Sequence, residues 1–109
     1  MSSGSGRIPY VRARAAIDAG NLHFLVRNAS ELPRFRLSDA LDICVLYVER
    51  DIDRYEAAAI RWLTRFANEV KGVSLADIQA AAAALDALPE QPLTALAQLK
   101  GLCRERKAR

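Results

Sequence analysis

A chain of 109 residues with 51% hydrophobic and 27% charged residues has the size and composition of one globular domain able to bury its own core without metal or disulfide support. No apolar run approaches the roughly 18 residues that span a bilayer, which excludes a membrane-spanning helix. The formal charge of +3 conceals an asymmetry. Residues 1–36 hold six arginines against Asp18 and Glu31 (+4), residues 37–90 hold five basic against ten acidic residues (−5), and residues 91–109 hold five basic residues against Glu105 (+4). Basic ends flanking an acidic middle are compatible with an acidic partner or with ends that fold back and neutralise the middle, and no block reaches five like charges in a row.

Residues 1–8 are read as a tail or appended sequence outside the domain, and residues 9–109 as a single helical domain. The opening residues are Ser/Gly-rich, with no apolar stretch of the kind a signal peptide needs, which points to a cytoplasmic protein. Pro9 suits a first helical turn, and a helix over residues 10–19 ends at Gly20, a natural left-handed stop. Asn21 caps a second segment carrying Leu22, Leu25, Val26 and Ala29, which Pro33 terminates. Ser38 is the expected cap of a third helix, apolar from Ala40 to Val48 except at Asp42 and therefore central. The run over residues 43–48 has strand propensity, but no second strand exists to pair with it, so helix is the reading that satisfies its backbone.

A fourth helix starts at Asp51 or Asp53 and runs to Gly72. Tyr55, Ala59, Trp62, Phe66 and Val70 form one helical face, a core seam, and Ile60, Leu63 and Ala67 are expected to widen it. Ser74 and Asp77 form a capping box with aspartate in place of glutamate, opening a fifth helix whose row is Leu75, Ile78, Ala82, Leu85 and Leu88. Pro92 opens a sixth with Leu93, Leu96, Leu99 and Leu102. Helix pairs beginning near Pro9, Ser38 and Ser74 are unequally spaced, so no tandem repeat is present. The fold class is all-α, an irregular bundle or short superhelical stack of five to six helices.

The alanines at 80–84 are explained by helix propensity and close packing, and Trp62 with Tyr55 and Phe66 by the core. Arg54, Arg61 and Arg65 form a stripe able to meet phosphates or carboxylates, although Asp53, Glu56 and Glu69 lie nearby. A second basic group consists of Arg7, Arg12 and Arg14 around Tyr10, joined by Arg104, Arg106 and Lys107 if the ends meet. The candidate binding surface is therefore Arg12, Arg14, Arg54, Arg61, Arg65, Arg104 and Arg106. Residues after Ser74 and after Leu93 give an echo of a helix-turn-helix, but Pro89 and Pro92 replace its compact turn.

Catalytic patterns are not found: there is no glycine-rich phosphate loop, no nucleophile elbow, and His23 is the one histidine. Asp39 with Asp42 and Asp51 with Asp53 sit where helix starts favour negative charge. Neither a metal nor another cofactor is expected. Cys44 reads as a buried small hydrophobe, and Cys103, beside Arg104 and Arg106, as the more accessible thiol.

The stretch over residues 51–58, continuing through Arg61, Trp62, Leu63, Arg65 and Phe66, resembles a segment of small all-helical uncharacterised proteins of GC-rich bacteria. Ser74-Leu75 and residues 85–89 are similar too. The resemblance implies a helical fold and brings no activity with it. The functional expectation is a non-enzymatic module that binds another protein, with weak nucleic-acid binding or regulation through the basic ends as the alternative.

Overall fold

The computed structural model describes the backbone of residues 8–107 and the side chains of residues 8–104. Among the described residues six α-helices follow in order: α1 Tyr10–Asp18, α2 Leu22–Arg27, α3 Leu37–Arg50, α4 Tyr55–Glu69, α5 Leu75–Ala87 and α6 Pro92–Lys107, with short 3-10 turns at Ala29–Glu31 and Ile52–Arg54. No strand occurs among the described residues. The β-branched run at 43–48 is helical, as backbone satisfaction requires.

The first two helices form a hairpin through local chemistry. Gly20, at φ +71°, lets the chain reverse. The Gly20 amide donates to the Ile17 carbonyl (3.0 Å) and the Asn21 amide to the Ala16 carbonyl (2.8 Å), satisfying two orphan acceptors at the end of α1. The Asn21 side chain then accepts from the Phe24 amide and caps α2. Ile8, read from sequence as the last residue of the tail, joins the domain: its amide donates to the Glu31 carbonyl and its side chain packs on the hairpin.

Helix α3 is central, packing against α1, α2, α4 and α6. It is the wall between two apolar clusters. Leu46 faces a smaller one with Ala13, Ile17, Leu22, Leu25 and Phe35. Leu37, Leu41 and Cys44 face a larger one with α4, α5 and α6, centred on Trp62, Phe66, Leu88 and Leu99. Ser38 does not cap this helix, which begins at Leu37, two residues earlier than a Ser38 cap would place it, and Arg36 at the cap position offers no side-chain bond. The earlier start buries Leu37 and places Asp39 in the first turn, where its charge meets α1.

The α4 seam lies in the core as expected. Trp62, 2% exposed, stacks on Phe66 with ring centroids 5.4 Å apart. Both aromatic polar tips are satisfied, because Trp62 Nε1 donates to the Leu37 carbonyl (2.8 Å) and the Tyr55 hydroxyl to the Leu85 carbonyl (2.6 Å). The helix is shorter than predicted at both ends. A 3-10 turn precedes Tyr55, and Val70 leaves the helix with extended backbone while its side chain stays buried; Gly72 then turns at φ +75°.

The Ser74–Asp77 capping box is present in full, with the Asp77 carboxylate accepting from the Ser74 amide and the Ser74 hydroxyl from the Asp77 amide. The buried faces of α5 and α6 agree with those predicted at Leu85, Leu88 and Leu99, with Ile78, Leu96 and Leu102 half-buried against the core, and differ at the helix starts and at Ala82. Leu75 and Leu93 are 76% and 84% exposed, and the core-facing residues are Ala81, Ala84 and Leu85 on α5, Leu88 just after it, and Ala95, Leu99 and Cys103 on α6. Leucines three apart step by 300°, so four in succession sweep about half the helix circumference and cannot all face one neighbour; a four-residue step drifts by only about 40°. Ala81 and Ala84 leave room for α6, which packs closely against α5.

Cys103 is thus buried as well as Cys44, contrary to the reading that made it the accessible thiol, because it continues the Ala95–Leu99 row. Burial pushes the Cys44 thiol up to about 11, with Arg61 opposing the shift. Thiol titration of the native protein is therefore expected to be slow at both positions compared with the urea-unfolded chain. Rapid native-state labelling of Cys103 would contradict this packing of α6.

A surface pair ties the segment before α3 to the end of α4. Arg65 grips Glu69 through two bonds of 2.8 and 3.1 Å and also donates to the Phe35 carbonyl at 2.7 Å, while Arg34 reaches the same carboxylate at 3.0 Å. The bonds from Arg65, supported by Arg34 and opposed by burial, hold Glu69 down at about 2. A carboxyl depressed on folding stabilises the fold above its ordinary value of 4.5 and loses that contribution as pH falls towards 2. The stability difference between wild type and Glu69→Gln should accordingly shrink over that window in denaturation curves. A difference independent of pH would show that the ion pair contributes nothing.

Candidate interaction site

The singled-out arginines whose side chains are described, Arg12, Arg14, Arg54, Arg61, Arg65 and Arg104, do not form one surface. Arg14 is the most constrained. Its guanidinium contacts Asp39 (2.7 Å) and Asp42 (3.0 Å) on α3 and Asp18 (2.8 Å) on its own helix. Asp39, 7% exposed, accepts a second bond from the Tyr10 hydroxyl at 2.9 Å. Asp42 also meets Lys100 of α6 at 3.3 Å. One cation from each end of the described chain, Arg14 and Lys100, thus meets the same α3 carboxylate, Asp42.

The α4 stripe is broken in the same way. Arg65 is held by Glu69 and Phe35, and Arg54 lies 3.3 Å from Asp51. Arg12 rests over the Phe24 ring at 5.7 Å. Arg12, Arg61 and Arg104 are exposed on three different helices and make no ion pair among the described residues. The side chains of Arg106 and Lys107, and Arg7 altogether, lie outside the described residues.

Sequence reasoning missed a second surface. Between α4 and α5 lies an open groove of about 390 Å³, lined by Ala59, Ile60 and Leu63 on one side, Ala82, Leu85 and Pro89 on the other, and Tyr55, Glu56 and Asp86. Ile60 is 58% exposed. The expectation that Ile60, Leu63 and Ala67 widen the core holds only in part, at Leu63, because Ile60 lies about 160° around the helix from Trp62. With α5 turned so that Ala81, Ala84 and Leu85 face inward, Ile60 and Ala67 are exposed and only Leu63 is half-buried.

The chemistry of the groove is limited. The Tyr55 hydroxyl is already bonded to Leu85, leaving the Glu56 and Asp86 carboxylates as its charged groups and no cation in the lining. Among the described residues no three His, Cys, Asp or Glu side chains converge to hold a metal ion, and no helix is long and apolar enough to cross a membrane. No protein-family model matches the chain, and comparison with curated proteins and with solved structures gave no significant match.

Proposed function

We propose that this chain is a non-enzymatic helical module that binds another protein, and that the groove between α4 and α5 is its contact surface. The observation that carries this reading is the exposed Ile60 above an apolar floor, in a fold whose best-placed arginine, Arg14, is committed to three carboxylates of the same chain. Apolar surface left open beside charged rims is the composition of a contact patch. A photocrosslinking residue at position 60, compared with one at Arg12, tests the proposal inside cells. A discrete protein adduct from position 60, removed by Ala82→Arg in the same chain, is the expected result. Adducts only from Arg12, or equal diffuse labelling from both positions, would overturn it.

Phosphate binding is the second reading, supported by exposed Arg12, Arg61 and Arg104. Their separation on three helices predicts weak duplex binding without sequence preference. With about three phosphate contacts, affinity should fall about 40-fold between 50 and 200 mM salt. Fluorescence anisotropy with random and selected duplexes checks this, and tight binding of one defined site at physiological salt would make the regulator the better reading.

A further inference from the structure

We infer that the occupant of the α4–α5 groove is a basic amphipathic helix of another protein, an inference that rests on the groove being the contact surface. The groove has polarity along its length. The bond from the Tyr55 hydroxyl to the Leu85 carbonyl brings the start of α4 beside the end of α5. Glu56 and Asp86 each follow these residues by one, so both carboxylates lie at that end, while Ile60, Leu63 and Ala82 form the apolar remainder. From Glu56 to Leu63 is two helical turns, about 10 Å, which matches two turns of a partner helix.

Two chemical arguments select that partner. First, the charged groups in the lining are carboxylates, which accept hydrogen bonds and favour cations, so a partner must bring lysine or arginine to that end and apolar side chains to the other. Second, the walls are side chains of two helices, whose own backbone bonds are made internally. An extended peptide would find no ladder for its main chain there, whereas a helix arrives with its backbone satisfied and inserts i, i+4 side chains. The preference for a basic partner also opposes the formal charge of +3, so it reports the local field of the groove and not the charge of the whole chain.

The probes are two fluorescein-labelled, alanine-rich helical peptides with the same leucine stripe, one carrying lysines and the other glutamates, titrated by anisotropy against the full chain. The lysine peptide should bind at least about tenfold more tightly than the glutamate peptide. Glu56→Lys with Asp86→Lys, both on exposed positions, should reverse the preference, and Ile60→Asp should abolish binding of the lysine peptide, with circular dichroism confirming that each variant is folded. Equal binding of both peptides that Ile60→Asp abolishes would overturn the basic partner while leaving the groove as the contact surface. Lysine-peptide binding that survives Ile60→Asp, or no binding of either peptide, would overturn the inference. A dimer in sedimentation that Ile60→Asp dissociates would instead seat a second copy of this chain in the groove and also overturn it.

Discussion

Trp62→Ala is expected to destabilise the protein by about 3–5 kcal/mol, the range for removing a large buried aromatic. The indole sits where α3 and α4 meet in the larger cluster, stacked on Phe66, with its N–H on the Leu37 carbonyl. Its loss leaves a cavity bounded by residues that cannot follow the backbone inward. Trp62→Phe separates the two contributions. It retains most of the apolar volume and removes the hydrogen bond, so a smaller loss of about 1–2 kcal/mol is expected. Chemical denaturation measures both; a cost below about 1 kcal/mol for the alanine variant is the signature of a surface residue and would contradict this core.

The second large effect is expected at Arg14. Replacing it with alanine removes the cation between three carboxylates and leaves Asp39 and Asp42 facing each other on successive turns of α3, Asp39 buried. A cost of about 2–3 kcal/mol is expected, because the buried Asp39 carboxylate loses its cation and keeps its desolvation penalty, with the Tyr10 hydroxyl as its remaining side-chain donor. Arg14→Ala combined with Asp39→Asn should then be less destabilising than Arg14→Ala alone, since the second change removes the stranded charge. Strictly additive losses in the double-mutant cycle would mean that Arg14 and Asp39 do not interact in solution.

The elements readable from sequence are those with a local cause. Gly20 ends α1 because a left-handed residue is needed there, and Ser74 with Asp77 opens α5 because two amides need partners; each device acts within a few residues. Tyr55, Trp62 and Phe66 were legible as a seam because large aromatics at helical spacing have one place to go. Rotation of a nearly uniform apolar helix was legible only in part. In α5 and α6 alanines and leucines occupy most faces, so the residues that point inward are decided by the partner helix, and Leu75, Leu93 and Cys103 were misplaced for that reason.

The candidate site divides along the same line. The basic-acidic-basic pattern is compatible with ends that fold onto the middle; Asp42 between Arg14 and Lys100 is one such contact, while Arg12 and Arg104 make none among the described residues. The particular partners lie 28 and 58 positions away from Asp42, with no periodicity to announce them. The groove was hidden for a related reason: Ile60 lies well off the Trp62–Phe66 seam, and whether another helix covers that side of α4 is not written in the local sequence.

On the proposed reading the α4–α5 groove is the contact surface, while Arg14 and Arg65 hold helices together and Arg12, Arg61 and Arg104 stand exposed. Two-dimensional amide NMR of the labelled chain, titrated with the lysine-bearing peptide, tests that division most directly. Shift changes concentrated at Glu56, Ile60, Leu63, Ala82 and Asp86, with Arg12, Arg14 and Arg104 unmoved, are the predicted result. Changes centred on the α1 arginines or on Arg104, with the groove residues unmoved, would contradict it.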